Sequence, residues 1–397
     1  LANLPLFSLE DVKNKRVLVR VDFNVPVQKN HVTDITRLVA VLPTLRELIM
    51  AQAKIILLSH RGRPRGKIDL DLSLRGVADA LKDILERPVA FCPEAVGQTA
   101  KEAVGKLKAG EILLLENLRF YPGEENNDPD FVKQLAELGE VYINDGFAVS
   151  HRAHGSVVGL PKHLPSFAGL LLDKEVRSLA TALEPKAQPI TAIIGGAKIS
   201  TKIALLESLV TKVRNLVVGG GIANTFLLAL KHDIGNSLCE RDQVPMARKI
   251  IKQAEKSKCK LIIPHDIRAS RDLNANSEVY HIPVADLQKS ESIFDIGPKT
   301  AERVGECLQH SRTVIWNGPV GLFEHQPFDR SSVQIAQDIA RLTKEGRLNS
   351  IAGGGETLAV INRAHVSDGF SYLSTGGGAF LEYIQGHELP GVKALQK

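Results

Sequence analysis

Lys198 and Lys202 stand four residues apart behind the paired glycines Gly195 and Gly196, in residues 191–202, TAIIGGAKISTK. The run 191–194 is short, apolar and β-rich, and the glycines break it. Ile199, Ile203, Leu206 and Val210 then repeat at helical spacing, which predicts both lysines on one face of a helix's first turns. A helix N-terminus offers free N–H groups and the positive end of its dipole, which suits an anion. Two ammonium groups beside it suit a polyphosphate. The bland alternative is a strand-to-helix turn with two solvated lysines. The stretch lacks the G-x-x-x-x-G-K-[ST] spacing of a Walker A loop.

The first half of the chain carries arginine instead. Residues 16–26, RVLVRVDFNVP, end a β-run at Asp22, Phe23 and Asn24. Asp and Asn there either cap a turn or accept hydrogen bonds from the hydroxyls of a sugar acid. Arg37 opens the next helical pattern behind Thr-Asp-Ile-Thr, where a solvated arginine in a capping segment is the plain alternative. Residues 59–64, SHRGRP, follow the run KIILL and put His60, Arg61, Gly62 and Arg63 on one tight turn. The planar guanidinium fork binds phosphate and carboxylate bidentately. Residues 115–120, LENLRF, bring Arg119, and residues 144–156, NDGFAVSHRAHGS, set Arg152 between His151 and His154. No Cys or acidic partner stands at metal-ligand spacing from these histidines. Separate strand ends that each deliver arginine make a receptor for a small anion with more than one negative group.

In the second half the turns carry glycine. They are residues 216–226, LVVGGGIANTF; 313–324, TVIWNGPVGLFE; 351–360, IAGGGETLAV; and 374–382, STGGGAFLE. One such turn is an ordinary β-to-α connection. Several, together with Gly195 and Gly196, offer backbone N–H groups and flat surface to a nucleotide.

The elements that must position these turns alternate. Apolar β-runs are predicted at 16–23, 54–60, 89–93, 112–118 and 141–147, then at 190–195, 216–219, 260–264, 313–316, 350–352 and 370–374. Helical patterns lie between them, among others at 37–51, 73–85, 129–138, 244–254, 298–308 and 331–342. Strand–helix alternation means an α/β fold with parallel sheets and right-handed crossovers. Ligands bind such sheets beyond the carboxyl ends of the strands, where the unusual residues cluster. At 397 residues the chain is long enough for two cores, and residues 170–183 read as a helix leading into an exposed segment, EPKAQP, that marks the boundary.

The net charge of +5 is a mild excess, and the first half is close to neutral, which argues against a nucleic-acid surface. Cys92, Cys239, Cys259 and Cys307 are far apart, with no C-x-x-C, so neither a zinc site nor a disulfide framework is indicated and a cytoplasmic setting is expected. No apolar run reaches the ~18 residues of a membrane span, and residues 1–12 lack the basic-then-apolar order of a secretory signal.

Taken in order, RVDFNVP, SHRGRP, LENLRF, NDGFAVSHRAH, GGAKISTKI, GGGIANTF, WNGPVGLFE, GGGET, STGGGAFLEY and GHELPGV resemble the successive signatures of the phosphoglycerate kinase family over essentially the whole chain. The resemblance implies two Rossmann-like lobes, each a parallel sheet flanked by helices. A phosphoglycerate-binding domain would span 1–169, a helix and linker 170–189, and a nucleotide-binding domain 190–374, with 375–397 folding back to the first. It implies reversible phosphoryl transfer between 1,3-bisphosphoglycerate and Mg-ADP, giving 3-phosphoglycerate and Mg-ATP, by a monomer. Carried over by motif, Asp22, Phe23, Asn24, Arg37, His60, Arg61, Gly62, Arg63, Arg119 and Arg152 would form the phosphoglycerate site. Gly196, Ala197, Lys198, Lys202, Gly220, Gly221, Asn317, Pro319, Glu324, Gly354, Gly355, Glu356 and Thr357 would hold the nucleotide, with Glu324 accepting from the ribose hydroxyls. Arg37, Lys198, Lys202, Gly354 and Gly377 would face the transferring phosphoryl. Glu356 stands where the family usually has Asp as the magnesium-side acid, and NDGFAVSHR reorders the small residues of the usual NDAFG.

Two competing readings make different demands. A Rossmann dehydrogenase would want G-x-G-x-x-G after the first strand, where DFNVP stands. A catalytically silent nucleotide-binding module would be expected to lose Lys202 or the arginine cluster, and both are present.

Overall fold

The computed structural model of the chain describes residues 3–29, 31–274 and 278–396. The Val-, Ile- and Leu-rich runs become short parallel strands buried on both faces, as their lack of polar alternation requires. Ile112–Leu115 and Ile190–Ile194 are buried along their whole length. The strands are shorter than the apolar runs suggest. The first ends at Arg20 and the second at Leu58, so Asp22, Asn24 and His60 sit on the loops beyond them.

The chain divides into two compact units, Leu1–Arg177 with Glu388–Lys397, and Ser178–His387. The helix Leu170–Leu183 contributes to both. Among the described residues, each unit holds a six-stranded parallel sheet. In the first, the order is Val89–Cys92, Ile112–Leu115, Lys54–Leu58, Arg16–Arg20, Val141–Asn144 and Ser166–Ala168. In the second, it is Lys260–Ile262, Asn215–Val218, Ile190–Ile194, Thr313–Asn317, Asn349–Gly353 and Tyr372–Ser374. Numbered within the unit, that is the doubly wound order 3-2-1-4-5-6, and the direction of winding reverses between Ile190–Ile194 and Thr313–Asn317.

Alternate residues of each strand pack against the flanking helices. In the first unit Val17, Val19, Ile55, Leu57 and Leu114 meet Leu38, Leu45, Leu48, Val77 and Leu81. In the second Ile193, Val217, Val314 and Trp316 meet Val304, Leu308, Ile335 and Ile339. Each fully buried aliphatic side chain stabilises the fold by ~1.5–3 kcal/mol. The pattern at 37–51 is not one helix but two, Thr36–Ala40 and Leu42–Met50, with Pro43 in the first turn of the second. Proline has no N–H to continue an incoming helix.

An antiparallel sheet of Asp266–Ser270 between Tyr280–Pro283 and Ser292–Ile296 was not foreseen. Its central strand, DIRAS, is buried although two of its residues are charged. Arg268 is paired with Asp295 at 2.7 Å, and Asp266 accepts from the Thr300 N–H at 2.7 Å. Burial through paired charges leaves no apolar pattern to read.

Candidate active site

In the first unit the strand ends assemble a buried cationic cluster. Arg20, the last residue of its strand, is fully buried. Its Nε donates to Ser156 Oγ at 2.7 Å, its Nη2 lies 3.3 Å from His60 Nδ1, and its Nη1 donates to the carbonyl of Val21. The fully buried Glu124 balances it at 3.9 Å, and accepts from the Ser156 N–H at 2.9 Å and the Ser156 hydroxyl at 2.6 Å. Arg119, set on a single 3₁₀ turn after Asn117, donates from Nη1 to the Gly62 carbonyl at 2.8 Å. Burial first, and then the Arg20 charge, hold its pKa down to about 10.

The two buried histidines are uncharged at neutral pH. Burial, followed by the charges of Arg20, Arg119 and Arg37, drives His60 well below its ordinary value. Burial, followed by Arg119 and Arg20, takes His154 to about 3. The positive charge of the site is therefore guanidinium charge.

Arg37 is oriented from below. Its Nη1 donates to Asp22 Oδ2 at 2.7 Å and to the Asn24 carbonyl at 3.0 Å. Asn24 Oδ1 in turn accepts from the Gly62 N–H at 2.9 Å, which ties the DFN loop to the SHRGRP turn. Gly62 has φ +62°, and a Cβ there would lie 2.7 Å from Leu72. Arg63 and Arg152 are exposed, and no side-chain hydrogen bond or ion pair holds them among the described residues. Two residues of the sequence-derived set are placed differently. Phe23 is fully buried in the apolar core. Arg61 turns its Nη1 to the carbonyls of Asp71, at 2.7 Å, and Ser73, at 3.2 Å.

In the second unit the site forms at the reversal of winding. A cavity of about 430 Å³ is lined by Gly196, Ala197, Gly220, Gly221, Pro319, Glu324 and Glu356 of the sequence-derived set. The glycines allow loops to meet backbone to backbone. A Cβ at Gly221 would lie 2.2 Å from the Ala197 carbonyl oxygen, and one at Gly195 1.8 Å from that of Pro319. Lys202 Nζ donates to the carbonyl oxygens of Gly195 at 2.6 Å and Asn317 at 3.2 Å, the residues that follow or close the two central strands. Burial lowers its pKa to about 8, against the opposing pull of Glu356.

The lysines do not share a helix face. A 3₁₀ turn, Ile199–Thr201, follows the glycines, and the α-helix Ile203–Leu209 starts only after Lys202. Lys198 is exposed at the head of the 3₁₀ turn. Three of the four other glycine turns do lead straight into helices, Gly220–Ala229, Gly355–Arg363 and Gly378–Gln385, while the turn after Asn317 runs as loop to the helix Arg330–Lys344. Gly354 and Gly377 precede the latter two with φ +99° and +51°. Asn317 and Thr357 are buried staples. Asn317 Nδ2 donates to the Gly353 carbonyl at 2.6 Å, and Thr357 Oγ1 accepts from the Gly318 N–H at 2.7 Å.

Several lining residues escaped the sequence reading. Leu238, Ile293, Phe294, Leu322 and Phe323 give the cavity an apolar wall, and Asn224 lies among them. The Asn of GGGIANTF and the Leu-Phe pair of WNGPVGLFE were the available signals. In the first unit the missed residues are Arg20 and Glu124, and His154 was named without a site role; their side-chain partners are 30 to 136 residues away in sequence.

As for a metal, no group of three or more His, Cys, Asp or Glu residues suited to one occurs among the described residues. Glu356 alone lines the cavity with a carboxylate in a helix's first turn. That fits Mg²⁺, which keeps several waters and takes one or two carboxylates plus substrate phosphates. No helix among the described residues is long and apolar enough to cross a membrane.

Residues 8–387 match the family described as phosphoglycerate kinase. A phosphoglycerate kinase of Zymomonas mobilis subsp. mobilis is 48% identical over 391 residues, covering 98% of each chain. That of Maricaulis maris is 49% identical over 385 residues, covering 97% of this chain and 96% of the other. The solved phosphoglycerate kinase of Coxiella burnetii superposes with a TM-score of 0.88 at 37% identity, covering 99% of each chain. The enzyme of Pyrococcus horikoshii OT3 gives 0.85 at 31% identity over 98% of each. With a match of this extent, the chain belongs to the phosphoglycerate kinase family.

Proposed function

We propose a division of labour for the phosphoglycerate kinase reaction (EC 2.7.2.3) that this chain carries out. The first unit binds 3-phosphoglycerate or 1,3-bisphosphoglycerate, and the second binds Mg-ADP or Mg-ATP. The observation that carries this reading is the segregation of the two chemistries. The guanidinium cluster belongs to one unit, while the glycine-lined cavity and Lys202 belong to the other.

Arg63, Arg119 and Arg152, with His60 and Asn24, hold the non-transferred phosphate and the hydroxyl of the sugar acid. Arg37, steadied by Asp22, meets the transferring phosphoryl. Gly196, Ala197, Gly220, Gly221 and Pro319 cradle the nucleotide, and Glu324 takes the ribose hydroxyls. Lys198, Lys202 and the amides of Gly354 and Gly377 stabilise the phosphoryl from the nucleotide side. Glu356 would hold a Mg²⁺ that comes with the nucleotide, and the ion would supply neutralisation of phosphate charge.

The acceptor is a carboxylate, already ionised at neutral pH, so no general base is needed. What the reaction requires is in-line placement and charge neutralisation, which fixed guanidinium, ammonium and amide donors supply. Excluding water protects the acyl phosphate from hydrolysis. One chain contributes both residue sets, so a monomer suffices, and no nucleic acid or membrane enters the reading.

A coupled assay following ATP consumption with 3-phosphoglycerate tests it. The expected result is turnover that requires both substrates and Mg²⁺. Turnover unaffected by loss of Arg37 and Lys202 together would overturn the assignment of roles.

A further inference from the structure

His60 is the residue through which the first unit's buried charge meets its loops, and the protein dictates which of its nitrogens carries the proton. Nδ1 lies 3.3 Å from Arg20 Nη2. Arginine is donor-only and stays charged when buried, so Nδ1 facing it must be the acceptor. The alternative partner of Nδ1, Asp22 Oδ1, is 3.9 Å away, too long for a hydrogen bond. The remaining nitrogen, Nε2, then carries the hydrogen. No protein group among the described residues bonds Nε2, and it is not one of the sealed polar atoms.

We propose that Arg20 is a positioning residue that holds His60 in the Nε2–H tautomer, so that the imidazole offers a single neutral N–H donor to an oxygen of the phosphoglycerate. This rests on the substrate placement proposed above.

Arg20 is itself over-determined. Ser156 Oγ, the Val21 carbonyl and Glu124 fix the guanidinium, and it is fully buried at the end of a central strand. Its aim at Nδ1 is therefore set by the fold. Protonation of Nδ1 would set two donors against each other and add a charge beside three arginines. Around His60 stand Arg20 from the neighbouring strand, Asp22 beyond that strand, Arg37 from the helix Thr36–Ala40, Arg119 from the turn Leu118–Phe120, and His154. Only Asp22 favours the cation, and it is committed to Arg37 at 2.7 Å. A neutral imidazole at this place keeps substrate recognition constant where an exposed histidine would titrate, between about pH 5 and 8.

The test is ¹⁵N NMR of the histidine side chains in the full chain, with His60 assigned by its loss in His60→Gln. The expected spectrum has a pyridine-type Nδ1 and a pyrrole-type Nε2, unchanged between about pH 5 and 8. A pyrrole-type Nδ1, or an imidazole that titrates near ~6.5, overturns the proposal without any further variant. Arg20→Met with Glu124→Gln removes the buried pair together, so that no lone charge is left behind. In that variant His60 should become a tautomer mixture that titrates, and KM for 3-phosphoglycerate should rise about tenfold and vary with pH. A raised KM with the tautomer unchanged would show that Arg20 acts only through packing, and would also overturn the proposal. Failure of the substrate placement looks different. The wild-type tautomer would be as expected, but its Nε2 signal would not move with saturating 3-phosphoglycerate.

Discussion

Arginines of one motif set differ in how they are held, and that difference sets what each can do. Arg37 is clamped by Asp22 and the Asn24 carbonyl, while Arg63 is exposed without such a clamp. A clamped guanidinium loses little freedom when charge develops in front of it, so Arg37→Ala should lower kcat by orders of magnitude. Arg63→Ala should mainly raise KM for 3-phosphoglycerate. Steady-state kinetics with the reverse pattern would reject these roles. Lys202 gives a pH signature. Its pKa is lowered from 10.5 to about 8 in the folded protein, burial being the main cause. The unfolded chain therefore holds more protons between those values, so this residue's contribution to stability improves as pH rises through that window and is least favourable below it. Nucleotide phosphates favour the ammonium, so ADP binding above pH about 8 should take up a proton. Calorimetry in two buffers of different ionisation enthalpy measures the uptake. Lys202→Met should abolish it, and a wild type with no uptake would remove Lys202 from the phosphate site.

At the scale of elements, the glycine turns act as spacers between loops. Gly221→Ala would push a Cβ to 2.2 Å from the Ala197 carbonyl oxygen, displacing the loop that carries Lys198. Overpacking of this kind destabilises by ~1–3 kcal/mol. The urea midpoint should fall and KM for ADP should rise, whereas a normal midpoint and KM would mean that the loops part easily. Glu356, in the first turn of Gly355–Arg363, should support Mg-nucleotide binding, so Glu356→Ala raises the Mg²⁺ concentration needed for half-activity while Glu356→Asp stays active. A magnesium titration indifferent to the alanine would reduce this carboxylate to a helix-end charge. These elements were legible because strand runs and glycine turns are local. The apolar run 190–195 became Ile190–Ile194, and the turn at 353–357 leads into a helix as read. What could not be read was set by distance or by pairing. Arg20 looks like one more strand residue until Ser156 and His60 are brought to it. Asp266–Ser270 looks like a polar loop until Asp295 and Thr300 neutralise it. Lys202 stands ahead of the helix expected there: its φ of −131° is not helical, and its Nζ bonds to the Gly195 carbonyl, a contact seven residues back that no local pattern announces.

At the scale of the whole molecule, the proposed division of the two ligands between two units would make the reaction a meeting of both. In-line transfer needs reacting atoms ~3–3.5 Å apart. Each ligand alone would neutralise charge on one unit, so the clearest compaction is expected with both ligands together plus a planar phosphoryl mimic such as trifluoromagnesate. Solution X-ray scattering, apo and with each combination, measures it. Equal compaction with nucleotide alone would withdraw the shared role given to Arg37 and Lys202. A different consequence follows from the residues after His387. Glu388–Lys397 belong to the first unit, where Leu389, Val392 and Leu395 are buried and the Gly391 N–H donates to the Ser150 carbonyl at 2.8 Å. A ribosome must therefore translate all of Ser178–His387 before the first unit receives its last helix, Pro390–Lys393. At ~5–20 residues per second that interval is on the order of 10–40 s. During it the nascent first unit lacks the cover that Leu389, Val392 and Leu395 give beside the loop of Arg152 and His154, so an apolar seat stays open to solvent until the chain is complete. Protease digestion of stalled nascent chains should cut near Ser150 until residue 395 has emerged, and protection before that point would show that the seat closes without its plug.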